Sequence, residues 1–164
     1  MRSYFTGVIG YVFLVLFLAV GGGVFCLTTL FAMSAEVSNF FTYMLIFSAV
    51  ALPLLTMKSF SDERRVKTEQ LLLTAPVSLT GMVIGKFLAA LTMFSGALLV
   101  NSLYFLLLYR YAEVKTAHLI GNFLALLLVG MTFIAIGVFV SALTENQLTA
   151  AIGTMAIILV FLVI

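Results

Sequence analysis

The sequence predicts an all-α protein, a polytopic bundle of about five transmembrane helices with a short amphipathic helix outside the membrane. Hydrophobic residues make up 64% of the 164-residue chain and charged residues only 9%, whereas soluble domains have about 45–50% and about 25%. The apolar residues form five long uncharged runs, and most charges gather in one segment, residues 58–86. So little polar surface cannot enclose a water-soluble core, and the chain is therefore an integral membrane protein.

Each of the five runs is long enough, or nearly so, to cross a hydrocarbon core of about 30 Å as a helix. The runs cover residues 8–31, 40–57, 87–109, 119–143 and 148–164. Because the links between them are short apart from residues 58–86, the whole chain, 1–164, is predicted to be one transmembrane domain.

A few residues interrupt the apolar runs. Three glycines at 21–23 predict a bend or a close approach of another helix, and Gly130 and Gly137 are predicted packing positions. Pro53 is expected to kink the second helix or to mark its exit. Asn101, the one strongly polar side chain of the third run, is predicted to make an interhelical hydrogen bond rather than to line a substrate path.

The distribution of Lys and Arg orients the helices, because basic residues accumulate on the cytoplasmic side. A cytoplasmic N-terminus places six basic residues inside and two outside. The inside residues are Arg2, Lys58, Arg64, Arg65, Lys67 and Lys86, and the outside residues are Arg110 and Lys115. This orientation also places the polar turn at residues 141–147 on the cytoplasmic side.

Residues 61–76 read as an amphipathic helix within the charged segment. Ser61 is a reasonable N-cap, Asp62 and Glu63 suit the positive end of the helix dipole, and Glu63 and Lys67 form a favourable i,i+4 pair. Pro76 ends the helix. Its first half is charged and its second half is rich in leucine.

Two interpretations of this helix remain open from its residues alone. It could lie on the membrane surface with its basic side chains against anionic lipid headgroups. It could instead dock in a groove of a cytoplasmic protein. Docking is slightly favoured, because a helix lying on the surface would not need Leu72 on a second face.

The sequence lacks the residues that nucleotide-binding, metal-binding and catalytic sites need. Gly81, Gly85 and Lys86 resemble a phosphate-binding loop, but the glycine spacing is one short and Phe87 stands where Ser or Thr is required. We instead expect these glycines to permit close helix packing. One Cys and one His make neither a disulfide nor a metal cluster, no catalytic constellation is found, and a net charge of +2 does not indicate nucleic acid.

The acidic residues carry a further expectation about energy supply. None of the six lies in the middle of an apolar run, whereas proton- or sodium-coupled carriers usually place an ionisable group there. An ion-coupled carrier is therefore disfavoured, and the energy for any transport is expected to come from outside this chain.

Three motifs resemble ABC type-2 permeases, in particular the gliding-motility-associated, multidrug-like bacterial branch. The first is DERR at 62–65 followed by TE at 68–69, LL at 71–72 and TAPVS at 74–78, with GKFLA at 85–89. The second is RSYF at 2–5 with IGYVFL at 9–14, and the third is SALTENQ at 141–147. They follow the family's order and are spread over nearly the whole chain.

The resemblance implies a function and partners. Two permease subunits, copies or paralogues, pair in the bacterial inner membrane among its lipids, and each contacts a cytoplasmic ATP-binding subunit. The segment between the second and third spans is then the coupling helix. The docking residues implied are Glu63, Arg64, Thr68, Glu69, Leu72 and Pro76. No enzyme activity and no cofactor are expected on this chain, because ATP binds the partner subunit.

The sequence departs from the family's pattern in two respects. Family members usually have six spans and begin with an amphipathic cytoplasmic helix, whereas this chain shows about five spans and only a few residues before the first. The leading hypothesis is the permease subunit of an ATP-driven exporter. The alternative is a non-transporting membrane anchor, an assembly subunit or a truncated permease fragment.

Overall fold

The computed structural model describes residues 8–31, 37–57, 79–110 and 115–164, which are almost entirely helical. Helix α1 spans Val8–Phe25 and continues as a π-helical segment, Cys26–Phe31. The other helices are α2 (Val37–Thr56), α3 (Leu79–Tyr109), α4 (Thr116–Leu143) and α5 (Gln147–Val163). Five helices, with no β-strand in the described ranges, confirm the predicted all-α helix bundle.

Four helical segments are long and apolar enough to cross a membrane, by length and composition. These are Gly10–Phe31, Val37–Thr56, Thr80–Tyr109 and Thr116–Leu143, and the apolar helix α5 is shorter at 17 residues. Their outward faces carry leucine, isoleucine and valine side chains such as Leu106 and Leu128. In water such a surface would be an aggregation hazard, but it suits contact with lipid tails.

Helix α2 is the most buried of the four long helices. It packs against α1, α4 and α5, while α4 also contacts α3 and α5, and α1 contacts α3. Large side chains fill the interior, among them Phe17, Phe40, Met44, Leu52 and Phe94, each less than 2% exposed. The interior of the described part of the chain is therefore closely packed.

Aromatic rings join four helices at one end of the bundle. Phe25 at the end of α1, Phe40 and Phe41 at the start of α2, Phe105 near the end of α3 and Phe123 near the start of α4 form one cluster. The closest pair, Phe40 and Phe105, has ring centroids 4.8 Å apart at an interplanar angle of 80°. Edge-to-face pairs of this kind suit the ring quadrupoles.

Glycines bring helices together elsewhere in the bundle. A Cβ at Gly130 on α4 would lie 2.6 Å from Cζ of Phe94 on α3, and a Cβ at Gly137 would lie 2.9 Å from Cβ of Thr56 on α2. Both predicted packing positions are confirmed. The expectation for Gly85 is wrong, because a Cβ there would find no described neighbouring atom within 4 Å.

The helix boundaries differ from those of the apolar runs, most of all at the start of α3. Helix α3 begins at Leu79, well before Phe87, so the last residues of the segment 58–86 belong to this helix. Hydropathy reports contact with lipid, whereas a helix also continues through polar residues outside the hydrocarbon. Helix α2 continues past Pro53 to Thr56, and the amide of Met57 donates to the Pro53 carbonyl over 2.9 Å. Pro53 thus lies within the last turns of α2.

Replacement of Gly130 by alanine should destabilise the bundle. Phe94 is fully buried and cannot move away from the new methyl group without disturbing its neighbours, so we expect a loss of about 1–3 kcal/mol in the free energy of unfolding. Unfolding in mixed micelles by titration with a denaturing detergent measures it. Gly121→Ala on the same helix, where no atom lies within 4 Å, is the control. Equal losses for the two variants would contradict the packing role of Gly130.

Candidate functional site

The six predicted docking residues lie outside the described part of the chain. Glu63, Arg64, Thr68, Glu69, Leu72 and Pro76 all fall between residues 57 and 79. The structure does describe both ends to which this segment is attached, Met57 after α2 and Leu79 at the start of α3. We call residues 58–78 the connector.

The end of α2 that leads into the connector is held against α4. Thr56 is fully buried, and its hydroxyl donates to the carbonyls of Leu52 and Pro53 over 3.1 and 3.3 Å. The Oγ of Ser141, in the last turn of α4, donates to the Met57 carbonyl over 3.2 Å. Carbonyls at a helix end have no partner within their own helix, so Ser141 caps one from a second helix.

The turn between α4 and α5 lies at the same end of the bundle as Met57. Helix α4 ends at Leu143 and α5 begins at Gln147, with Asn146 as N-cap. The Asn146 Oδ1 accepts a hydrogen bond from the Leu148 amide over 3.2 Å. The predicted turn at residues 141–147 is therefore shorter than expected, because residues 141–143 are helical.

Asn101 occupies the interface between α1 and α3, and its predicted interhelical hydrogen bond is wrong. Its Nδ2 donates to the Ala97 carbonyl of its own helix over 3.2 Å, and its Oδ1 has no hydrogen-bond partner among the described residues. The side chain is 1% exposed. A buried amide oxygen of this kind costs free energy, since no conventional hydrogen bond replaces its hydration.

Gly21 faces the unpaired oxygen. A Cβ built on Gly21 would overlap Asn101 Oδ1, so in the native chain a hydrogen of the Gly21 Cα points toward that atom. Weak Cα–H···O contacts recur at helix–helix interfaces where backbones approach in this way. One residue on, a Cβ at Gly22 would lie 3.3 Å from the Tyr104 hydroxyl, whereas Gly23 has no neighbouring atom within 4 Å. The sequence predicts either a bend or a close helix approach at these glycines. Gly21 and Gly22 provide the close approach.

The described charged residues lie toward helix ends. Arg110 and Lys115 flank the end of α3 and the start of α4, Glu145 lies between α4 and α5, and all three are exposed. Lys86 lies in the second turn of α3. Gly81 and Gly85 are helical as well, a conformation different from that of a phosphate-binding loop. Within the described residues, no group of three His, Cys, Asp or Glu side chains could hold a metal ion.

Comparison with known proteins decides the family. A family model described as "ABC-2 family transporter protein" matches residues 27–164, most of the chain. This chain belongs to the ABC-2 family of transporter proteins. It is therefore a multi-pass membrane protein and a permease component of an ABC transporter, a family whose members normally work with an ATP-binding subunit. Neither the curated proteins nor the solved structures include a significant match.

Sequence reasoning missed the residues that hold the connector end of this ABC-2 protein. The sequence gives Thr56 no predicted role and places Ser141 in a turn, although Gly137 and Ser141 lie four residues apart and so share a face of α4. That spacing next to a predicted packing glycine was the one available signal. The π-helical segment Cys26–Phe31 was also missed, and the sequence carries no signal for it that we recognise.

The contact between Gly21 and Asn101 predicts a coupled pair of substitutions. Gly21→Ala should lower the free energy of unfolding by about 1–3 kcal/mol, because the new methyl group overlaps the amide. In an Asn101→Ala background the same change should cost less than half as much, since the overlapping atoms are gone. A double-mutant cycle measures this coupling. Gly23→Ala on the same helix is the control and should change little, and equal costs in both backgrounds would refute the contact.

Proposed function

We propose that this chain is the permease subunit of a bacterial exporter, in which a separate ATP-binding subunit hydrolyses ATP and pushes on the connector. One observation carries the proposal. The most highly charged segment of the chain is attached on one side to the buried, hydrogen-bonded end of α2 and on the other side to the start of α3. A force applied to the connector would therefore act on α2, the most buried of the four long helices.

Docking of the ATP-binding subunit is proposed at the six residues named above. Glu63, Arg64 and Glu69 would supply charged contacts, and Leu72 would supply the apolar contact that an interface centre needs. Charged groups at the rim of an interface govern the rate and specificity of docking more than its affinity. Membership of the ABC-2 family supports this docking over adsorption of the helix to lipid.

The connector end of the bundle is proposed to face the cytoplasm of the bacterium, across its inner membrane. Support comes from the excess of Lys and Arg on that side, six residues against two. The N-terminus is then cytoplasmic, and Arg110 and Lys115 lie outside. ATP, bound by the partner subunit alone, is available only on the cytoplasmic side.

The substrate path is proposed to lie between this chain and a second permease subunit, a copy or a paralogue. The interior of the described bundle supports this arrangement, because fully buried side chains such as Phe17, Phe94 and Leu52 fill it. A path through one chain would have to displace that core. The three motifs noted in the sequence support placement in the gliding-motility-associated, multidrug-like branch, and export is the direction that this resemblance implies.

The proposed docking site predicts loss of assembly when Glu69 and Leu72 become Ala and Lys together. A lysine in an apolar interface pocket is an unpaired desolvated charge, so the amount of cognate ATP-binding subunit that co-purifies from detergent should fall about tenfold or more. Lys115→Ala, at the opposite end of the bundle, is the control. If the double variant retains its partner and the ATP hydrolysis of the complex as the parent does, the docking site is wrong.

A further inference from the structure

The junction between α2 and α4 combines a tight backbone contact with a hydrogen bond. Gly137 and Ser141, one turn apart on α4, contact Thr56 and Met57 at the end of α2. Thr56 and Ser141 are both fully buried. We call these four residues the α2–α4 junction.

The same end of α4 is also joined to α5. A Cβ on Gly153 of α5 would lie 3.3 Å from Cγ1 of Val140, a contact that a larger residue at Gly153 would crowd. Only residues 144–146 separate the two helices. Helices α2, α4 and α5 are therefore joined within two turns of the residue where the connector starts.

Separation of α2 from α4 at this point would be costly. The Met57 carbonyl and the Ser141 hydroxyl would lose their shared, part-buried hydrogen bond, and breaking such a bond away from water costs free energy. Withdrawal of Thr56 from Gly137 would in addition leave a void, whose lining atoms lose their dispersion contacts. Movement of both helices together avoids both costs.

We propose that the α2–α4 junction makes α2, α4 and α5 move as one rigid body when the connector is displaced. This inference rests on the proposed function, in which the ATP-binding subunit displaces the connector. Ser141 and Gly137 are then positioning residues that carry the displacement from α2 into α4. By contrast, the aromatic rings at the opposite end join α2 to α1 and α3 without any hydrogen bond between the side chains.

Spin labels on the complex with its ATP-binding subunit in lipid nanodiscs test the rigid body directly. In a Cys26→Ala background, Leu54→Cys on α2 and Leu143→Cys on α4 provide two exposed attachment sites near the junction. The distance between the labels within one chain should be the same without nucleotide and after trapping with ATP and vanadate. A distance that shifts on trapping in this parent would overturn the proposal without the need for any junction variant.

Removal of the Ser141 hydroxyl should allow α2 and α4 to move relative to each other. In Ser141→Ala, the distance between the labels should shift or its distribution should broaden on ATP trapping. Ser102→Ala, which removes a hydroxyl that bonds to Leu99 of its own helix over 2.6 Å, is the matched control and should behave as the parent. If the distance in Ser141→Ala stays the same on trapping, the junction does not hold the body together and the inference fails.

The same samples separate this inference from the proposed function. If the parent chain forms no complex, or if the ATP-binding subunit hydrolyses ATP at the same rate with and without the chain, the proposed function fails. If the complex forms and its hydrolysis rate depends on the chain, the function stands, and the label distances alone decide whether α2 and α4 move together.

Discussion

Close helix approach at a few glycines is the constraint on which this bundle depends. Lipid tails are as apolar as leucine, so helices in a bilayer gain little from hiding apolar side chains and must gain from tight contact. Gly21, Gly130 and Gly137 each receive a side chain from a neighbouring helix in the space that a Cβ would occupy. These contacts join α1 to α3, α3 to α4 and α4 to α2.

The two ends of the bundle are held together by different means. Phenylalanine rings on four helices pack at the end of the bundle opposite Met57, and such contacts have no hydrogen bonds to break. The connector end instead has a glycine contact and a hydrogen bond between helices. Under the proposed function, this hydrogen bond lies at the end of the bundle where a displacement of the connector would enter the membrane.

The sequence predicts which segments form the long apolar helices, but it does not predict which residues of different helices are in contact. Uninterrupted apolar runs predicted the helices, and Gly130 and Gly137 were identified as packing positions. Asn101 was not predicted correctly, because hydropathy along the chain does not say which residue of another helix faces it. The same limit hid the bond from Ser141 to Met57, whose residues are 84 positions apart, and the six docking residues stay a prediction.

The central claim, that the connector end faces the cytoplasm and its ATP, is tested most directly by the topology of two exposed positions. In a Cys26→Ala background, Glu145→Cys lies at the connector end and Lys115→Cys at the opposite end. A membrane-impermeant thiol reagent applied to intact spheroplasts should label Lys115→Cys at once and Glu145→Cys only after permeabilisation. Labelling of Glu145→Cys in intact spheroplasts, with Lys115→Cys protected, would contradict the account.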